Sequence, residues 1–117
     1  MSYNITNTNY MALPGLVPGT VMVAYMSPDH IINIVGEVLG ITKIDMYCKN
    51  RKRDKVEARQ IAMYLIRKHT KFSLAEIGKI FGGRDHTTTI HSIETVNNLC
   101  FSDDNYRSKL LYIENKL

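Results

Sequence analysis

The nine residues from Phe81 to Thr89, Phe-Gly-Gly-Arg-Asp-His-Thr-Thr-Thr, combine a glycine turn with a polar helix start. Two glycines can turn the chain tightly, because neither carries the Cβ atom that penalises a positive φ. Asp85 can then cap a new helix by accepting a hydrogen bond from an unpaired backbone N–H. The side chains that follow are short and carry donors, acceptors and methyl groups, which suits them to read base edges in a DNA major groove.

The helix predicted from Asp85 to about Leu99 carries the candidate base-reading side chains. Asp85 could accept a hydrogen bond from a cytosine amine, and a methyl group of Thr87 or Thr88 could contact a thymine methyl. His86 can donate or accept at a base edge. Farther along, Ile90, Ile93 and Val96 are expected to face inward.

Two flanking residues could add contacts to the DNA backbone. Arg84 and the helix N-terminus would attract a phosphate. His91 follows Thr88 by about one turn on the same face, so it could reach a phosphate or a base.

A second capped segment lies just upstream of the turn. Ser73 and Glu76 have the three-residue spacing of a capping box, and they predict a short helix that ends at Ile80 or Phe81. Two helices joined by a short glycine turn are typical of a helix-turn-helix, whose second helix enters the major groove with its N-terminus first.

Residues 49–55, Lys-Asn-Arg-Lys-Arg-Asp-Lys, contain no apolar residue and predict an exposed basic loop. Arg51 and Arg53 are the candidates to enter a neighbouring minor groove, since its negative potential attracts arginine. From Lys43 to Lys71 the chain has ten Lys or Arg against three acidic residues, whereas the remainder has five against eight. This concentration of positive charge favours a polyanion ligand; the alternative is a solvated lysine-rich face.

The periodicity of the chain predicts an all-α fold, a small helical domain built around the helix-turn-helix with the basic loop before it. Residues 1–27 predict an irregular N-terminal extension with a short extended piece at Thr20–Met26, and residues 28–117 predict the domain. The other expected helices are Pro28–Leu39, a short turn from Thr42 to Met46 or Tyr47, Val56–His69 and Asp104–Glu114.

Composition favours one soluble, cytoplasmic domain. The 117 residues are 44% apolar and 22% charged, and no apolar stretch is long enough to cross a membrane. Neither the two cysteines nor the four histidines form a zinc-binding spacing, and His86 beside Asp85 has no evident nucleophile. We therefore expect no metal, no cofactor and no catalytic residue.

Three segments together resemble a known family. They are Arg51 through Ala58-Arg59-Gln60-Ile61-Ala62-Met63-Tyr64-Leu65, Thr70 through Ser73-Leu74-Ala75-Glu76-Ile77-Gly78, and Phe81 through Thr88 with His91. The region from Asp29 to Leu117 resembles the C-terminal DNA-binding domain of the bacterial replication initiator DnaA family. Phe-Gly-Gly-Arg-Asp-His-Thr-Thr is its most specific piece. The resemblance implies an all-helical fold and binding to short asymmetric AT-rich sites, the DnaA boxes.

The resemblance also implies roles for individual residues. The family's minor-groove arginine falls on Arg51, with Arg53 beside it in the loop. The base-reading cluster falls on Asp85, His86, Thr87 and Thr88, next to Arg84. The phosphate-contacting positions fall on Arg59, Gln60, Arg67, the backbone around Leu74 and Ala75, and His91. Of these, Arg59 and Arg67 are expected, together with Lys68, on the outward face of their helix.

The family's ATPase module needs a G-x-x-x-x-G-K-[ST] phosphate loop, and the nearest match, Gly15 and Gly19, has no Lys after it. We therefore expect no ATPase activity, so the chain is an excised domain, a stand-alone homologue, or a prophage or mobile-element relative. Because residues 1–27 do not resemble the initiator's linker, we expect the stand-alone homologue. It would bind double-stranded DNA as a monomer on the bacterial nucleoid, in replication initiation or its regulation. The alternative is a protein-interaction module, whose N-terminal extension binds the initiator or another replication or phage protein.

Overall fold

The structure is a computed structural model that describes residues 26–117 as a bundle of six α-helices, with no strand in this part of the chain. The helices are α1 (Pro28–Leu39), α2 (Lys43–Tyr47), α3 (Arg53–His69), α4 (Leu74–Ile80), α5 (His86–Ser102) and α6 (Asp104–Asn115). The predicted all-α fold is confirmed. The extension 1–27, including the predicted extended piece at Thr20–Met26, lies almost entirely outside the described residues, so its boundary with a domain at 28–117 stays a prediction.

Side-chain caps begin five of the six helices. Each cap accepts a hydrogen bond from the backbone N–H three residues on, which satisfies a donor that has no carbonyl partner within the helix. The capping residues are Ser27, Thr42, Ser73, Asp85 and Asp103. The capping box predicted at Ser73 and Glu76 is present in full, with both reciprocal bonds formed.

Helix α3 begins without a side-chain cap, three residues before its predicted start at Val56. Lys52 occupies the cap position, so Arg53 belongs to the first helical turn and not to the basic loop. Asp54 in that turn interacts favourably with the positive end of the helix dipole. The apolar pattern starts only at Val56, and this is why the sequence placed the boundary too late.

Asp103 joins the last two helices without a loop. Its backbone N–H donates to the Leu99 carbonyl at 2.9 Å and closes α5, while its side chain accepts from the Tyr106 N–H at 3.1 Å and opens α6. Helix α5 therefore extends to Ser102, beyond the predicted end near Leu99. One residue terminates one helix and starts the next.

The core surrounds α3, which packs against α1, α2, α4 and α5. Its fully buried side chains include Ile61, Ala62 and Leu65. The prediction that Arg59 faces outward is wrong, because only 6% of this residue is exposed. On α6, Tyr106, Leu110 and Ile113 are buried.

The inward face of α5 differs from the prediction. Its buried residues are Thr89, Ser92 and Val96, whereas Ile90 and Ile93 are only partly buried. Thr89 is fully buried, so it does not join the two preceding threonines on the surface. Small side chains on this face allow α5 to pack closely against α3 and α4.

Glu114 of α6 is bonded to the end of α3. Its Oε2 lies 2.7 Å from the Lys68 Nζ and 2.7 Å from the His69 Nε2. Burial raises the pKa of Glu114, but the hydrogen bonds from Lys68 and His69 outweigh burial and hold its pKa below the ordinary value. The carboxylate therefore binds Lys68 and His69 in its charged form.

Glu114→Gln should lower the free energy of unfolding at neutral pH by about 1 kcal/mol, because the amide cannot replace the charged acceptor. A lowered folded-state pKa stabilises above the ordinary carboxyl range and loses that contribution as pH falls through the folded value. The difference between the two proteins should therefore shrink below about pH 4. Urea unfolding at a series of pH values measures it, and a difference that is independent of pH would contradict this account.

Candidate nucleic-acid interface

The turn between α4 and α5 depends on two glycines in the left-handed region. Gly82 has a φ of 85° and Gly83 a φ of 78°. The turn is also tightly packed: a Cβ atom on Gly82 would lie 2.4 Å from the backbone oxygen of Tyr47. In α4, a Cβ atom on Gly78 would lie 2.1 Å from the oxygen of Arg84. The approach at Gly78 fixes where α5 begins relative to α4, and the approach at Gly82 holds the turn against the end of α2.

The first turn of α5 is exposed at its polar residues. Asp85, His86, Thr87 and Thr88, which we call the tip of α5, all lie on the surface, as predicted. The Asp85 Oδ1 accepts from the Thr88 N–H at 2.9 Å. The backbone and side-chain hydrogen bonds from Thr88 lower the pKa of Asp85. Asp85 is therefore an ionised cap, and its carboxylate retains further acceptor positions for a donor on DNA.

Arg84 is half-buried behind this helical tip. Its Nη2 donates to the Cys48 carbonyl at 3.0 Å, and its Nη1 donates to the Phe81 carbonyl. Burial lowers the pKa of Arg84, although an arginine remains charged at neutral pH. The guanidinium is thus bound to backbone oxygens of the protein, where the sequence had suggested a group available to phosphate.

Arg59 is bound inside the protein by backbone carbonyls. Its Nε donates to the Met46 oxygen at 2.7 Å, and its Nη2 lies 3.1 Å from the Asp45 oxygen, 2.8 Å from the Cys48 oxygen and 3.3 Å from the Asn50 oxygen. These oxygens belong to the end of α2 and the segment after it, where carbonyls lack helical partners. Burial first, and the charge of Arg84 second, lower the pKa of Arg59.

The predicted phosphate contact by an outward-facing Arg59 is therefore corrected. A sequence signal for burial did exist, since Arg59 shares a helical stripe with Ala62 and Ile66, both fully buried. The positive charge nevertheless favours an exposed position in a sequence-based prediction, because arginine is almost never buried unless it is paired. Here the partners are neutral carbonyls that lie nine to fourteen residues earlier in the chain.

The basic loop is now residues 48–52, between α2 and α3. Arg51 is exposed, and the Asn50 Oδ1 accepts from the Lys52 N–H at 2.8 Å, which tightens the approach to α3. An open cavity of about 550 Å³ is lined by Arg51, Arg53 and Gln60, together with two carboxylates, Glu57 and Asp103, and residues of α5 and α6. The two predicted minor-groove arginines therefore lie beside each other at the start of α3.

A second open cavity, of about 290 Å³, lies between α3 and α5. Its lining includes Gln60, Thr88 and His91, with Arg59 and Arg84 also contributing. Gln60 lines both cavities, so the basic loop, α3 and the outer face of α5 form a continuous surface. We call this surface the basic face and define it by Arg51, Arg53, Gln60, Thr88 and His91.

The remaining candidate phosphate contacts are also accessible. Arg67 is exposed, and its Nη1 donates to the Phe72 carbonyl at 3.1 Å. Leu74 and Ala75 are the first two residues of α4, where backbone N–H groups have no helical partner. His91 is exposed on α5, with its Nδ1 3.8 Å from the Glu94 carboxylate.

Two negative findings apply to residues 26–117. No group of three or more His, Cys, Asp or Glu residues there could hold a metal ion. None of the helices in that range combines the length and the apolar composition needed to cross a membrane.

Residues 28–96 match the family model described as the bacterial dnaA protein helix-turn-helix. The chain belongs to this family. The match spans α1 through most of α5, so it includes the tip of α5 and the basic face. The resemblance found in the sequence is thereby confirmed. This match supports, as the coarse function, DNA binding related to replication initiation.

Chromosomal replication initiator proteins named DnaA are similar to this chain. The protein from Bacteroides fragilis (strain YCH46) is 44% identical over 89 residues, which cover 76% of this chain and 19% of the relative. The one from Streptococcus agalactiae serotype Ia is 45% identical over 83 residues, or 71% and 18%. The one from Chloroflexus aurantiacus (strain ATCC 29366) is 39% identical over 92 residues, or 79% and 19%. The chain thus spans less than a fifth of these relatives.

The two turn glycines of the DnaA-type domain offer a matched pair of substitutions. Gly83→Ala should cost about 1–2 kcal/mol of stability, because alanine is strained at positive φ but meets no atom there. Gly82→Ala should cost clearly more, because its Cβ atom would also collide with the Tyr47 backbone oxygen. Urea unfolding compares the two, and equal losses would show that the turn does not depend on this close approach.

Proposed function

We propose that this DnaA-type domain binds duplex DNA sequence-specifically at short, asymmetric AT-rich sites of the DnaA-box kind. The tip of α5 enters the major groove, and Arg51 enters the adjacent minor groove. The observation that carries this proposal is the continuity of the basic face, which links Arg51 to Thr88 and His91 through Gln60. Because both ends of this face are exposed, one domain can contact two neighbouring grooves.

The base-reading residues are His86, Thr87 and Thr88, with Asp85 as both cap and acceptor. All four are exposed at the N-terminal end of α5, where a helix in the major groove contacts base edges. Threonine methyl groups suit thymine, which agrees with an AT-rich site.

The phosphate contacts are made by Gln60, Arg67, His91 and the backbone at the start of α4. Arg53 adds positive charge beside Arg51. Arg59 and Arg84 support the interface from behind, since both are bound to backbone carbonyls. We propose that the domain acts as a monomer on the DNA and that its role is in replication initiation or its regulation, in the bacterial cytoplasm.

Fluorescence anisotropy with a DnaA-box duplex and a scrambled duplex of equal composition tests the proposal. The domain should prefer the box, and Thr88→Ala should weaken box binding by about 1–3 kcal/mol while changing scrambled binding little. Asn97→Ala is the matched control, because this exposed α5 residue lies outside the basic face. A wild-type protein that binds both duplexes equally would overturn the proposed function.

Arg67→Ala should weaken binding to both duplexes alike and reduce the slope of log affinity against log salt by about one unit. Arg107→Ala removes the same charge from α6, where Arg107 pairs with Asp104, and should leave that slope nearly unchanged. Anisotropy titrations between low and physiological salt measure the slopes. Equal slope changes in the two variants would indicate an effect of overall charge alone.

A further inference from the structure

We propose that Arg84 is a positioning residue, which holds the basic loop, and with it Arg51, at a fixed place relative to the tip of α5. This inference rests on the proposed function, because it concerns how the two DNA-contacting elements are held together. Arg84 achieves this through the Cys48 carbonyl, three residues before Arg51 in the chain.

The Cys48 carbonyl lies where the basic loop contacts the turn that precedes α5. It accepts from the Arg84 Nη2 at 3.0 Å and from the Arg59 Nη2 at 2.8 Å. Arg59 also binds the carbonyl of Asn50, the residue just before Arg51, at 3.3 Å. The loop backbone is therefore held by α3 on one side and by the turn that starts α5 on the other.

Arg84 is itself fixed at its other end. Its Nη1 donates to the Phe81 carbonyl, so the guanidinium bridges a turn oxygen and a loop oxygen. The same two segments also touch through Gly82, which abuts the Tyr47 oxygen, and through the Tyr47 and Phe81 rings, whose centroids are 6.1 Å apart. Among these contacts between the turn and the loop, the Arg84 bridge is the polar one, and it lies closest in sequence to Arg51.

The bridge does more than satisfy a carbonyl. Arg59 already supplies a donor to the Cys48 oxygen, and the nearby Arg84 charge is unfavourable for Arg59. The Cys48 oxygen has a second lone pair for Arg84, and this second hydrogen bond connects two elements that are far apart in sequence. We expect Arg84→Met to leave the domain folded and to loosen the loop.

A double-mutant cycle separates this role from direct phosphate binding. Anisotropy on the box duplex would compare wild type, Arg84→Met, Arg51→Ala and the double variant in the full chain. Arg51→Ala should weaken binding by about tenfold to a hundredfold in the wild-type background and by less than about threefold beside Arg84→Met. Losses that multiply independently would overturn the proposal, because Arg84 would then act without Arg51.

Arg84→Lys is the charge-retaining comparison. Lysine keeps the positive charge but has no planar fork to bridge two carbonyls, so it should bind the box like Arg84→Met. A lysine variant with nearly wild-type affinity would indicate that charge near a phosphate is what matters, and this would contradict a positioning role.

A measurement without DNA keeps the two proposals distinguishable. Backbone amide order parameters from NMR relaxation report the rigidity of residues 49–52 on the ps–ns timescale. They should fall in Arg84→Met and stay unchanged in Arg107→Met, a control on α6. Unchanged values in Arg84→Met would overturn the proposal. If the wild-type protein shows no box preference, the proposed function fails, and this measurement still decides whether Arg84 holds the loop.

Discussion

The buried guanidinium of Arg59 is the interaction on which the rest of the interface depends. A charge removed from water needs compensation, and here it comes from backbone carbonyls at the end of α2 and in the following loop. Those carbonyls lie at and beyond a helix end, where they lack partners within the helix. One side chain on α3 thus satisfies itself and the segment before it. The loop that carries Arg51 is therefore attached to the hydrophobic core, although its own residues are polar.

The second constraint is the close contact at the glycines. Gly78 lies against the Arg84 carbonyl and Gly82 against the Tyr47 carbonyl, so backbone meets backbone at both places. Close packing of this kind leaves little freedom in how α5 is oriented. The exposed tip of α5 therefore owes its orientation to small residues behind it, and its own side chains can remain short and polar.

The sequence predicted helix starts well wherever a side chain marks them. Thr42 and Ser73 mark the starts of their helices through local hydrogen bonds, which depend only on residues three positions away. Helix α3 has no such marker, and its start was placed at Val56, three residues too late. Local rules therefore explain both the correct and the incorrect boundary.

The sequence predicts which residues of the candidate site are exposed, but not the hydrogen bonds behind them that hold the site in place. The exposure of His86 and Thr88 follows from a polar helix start after a turn. The burial of Arg59 and the bridge from Arg84 depend on backbone carbonyls far away in the chain. Every residue has such a carbonyl, so the residue types do not show which ones accept these hydrogen bonds. Ile90 and Ile93 are only partly buried, because close packing of α5 requires the smaller Thr89 and Ser92 on its inner face.

Asp103 has a consequence for how the last two helices behave as a unit. Its amide closes α5 and its carboxylate opens α6, so there is no spacer in which either helix could end independently. An insertion at this junction would separate the two tasks and break at least one of them. We therefore expect α6 to melt together with α5 in a single cooperative step.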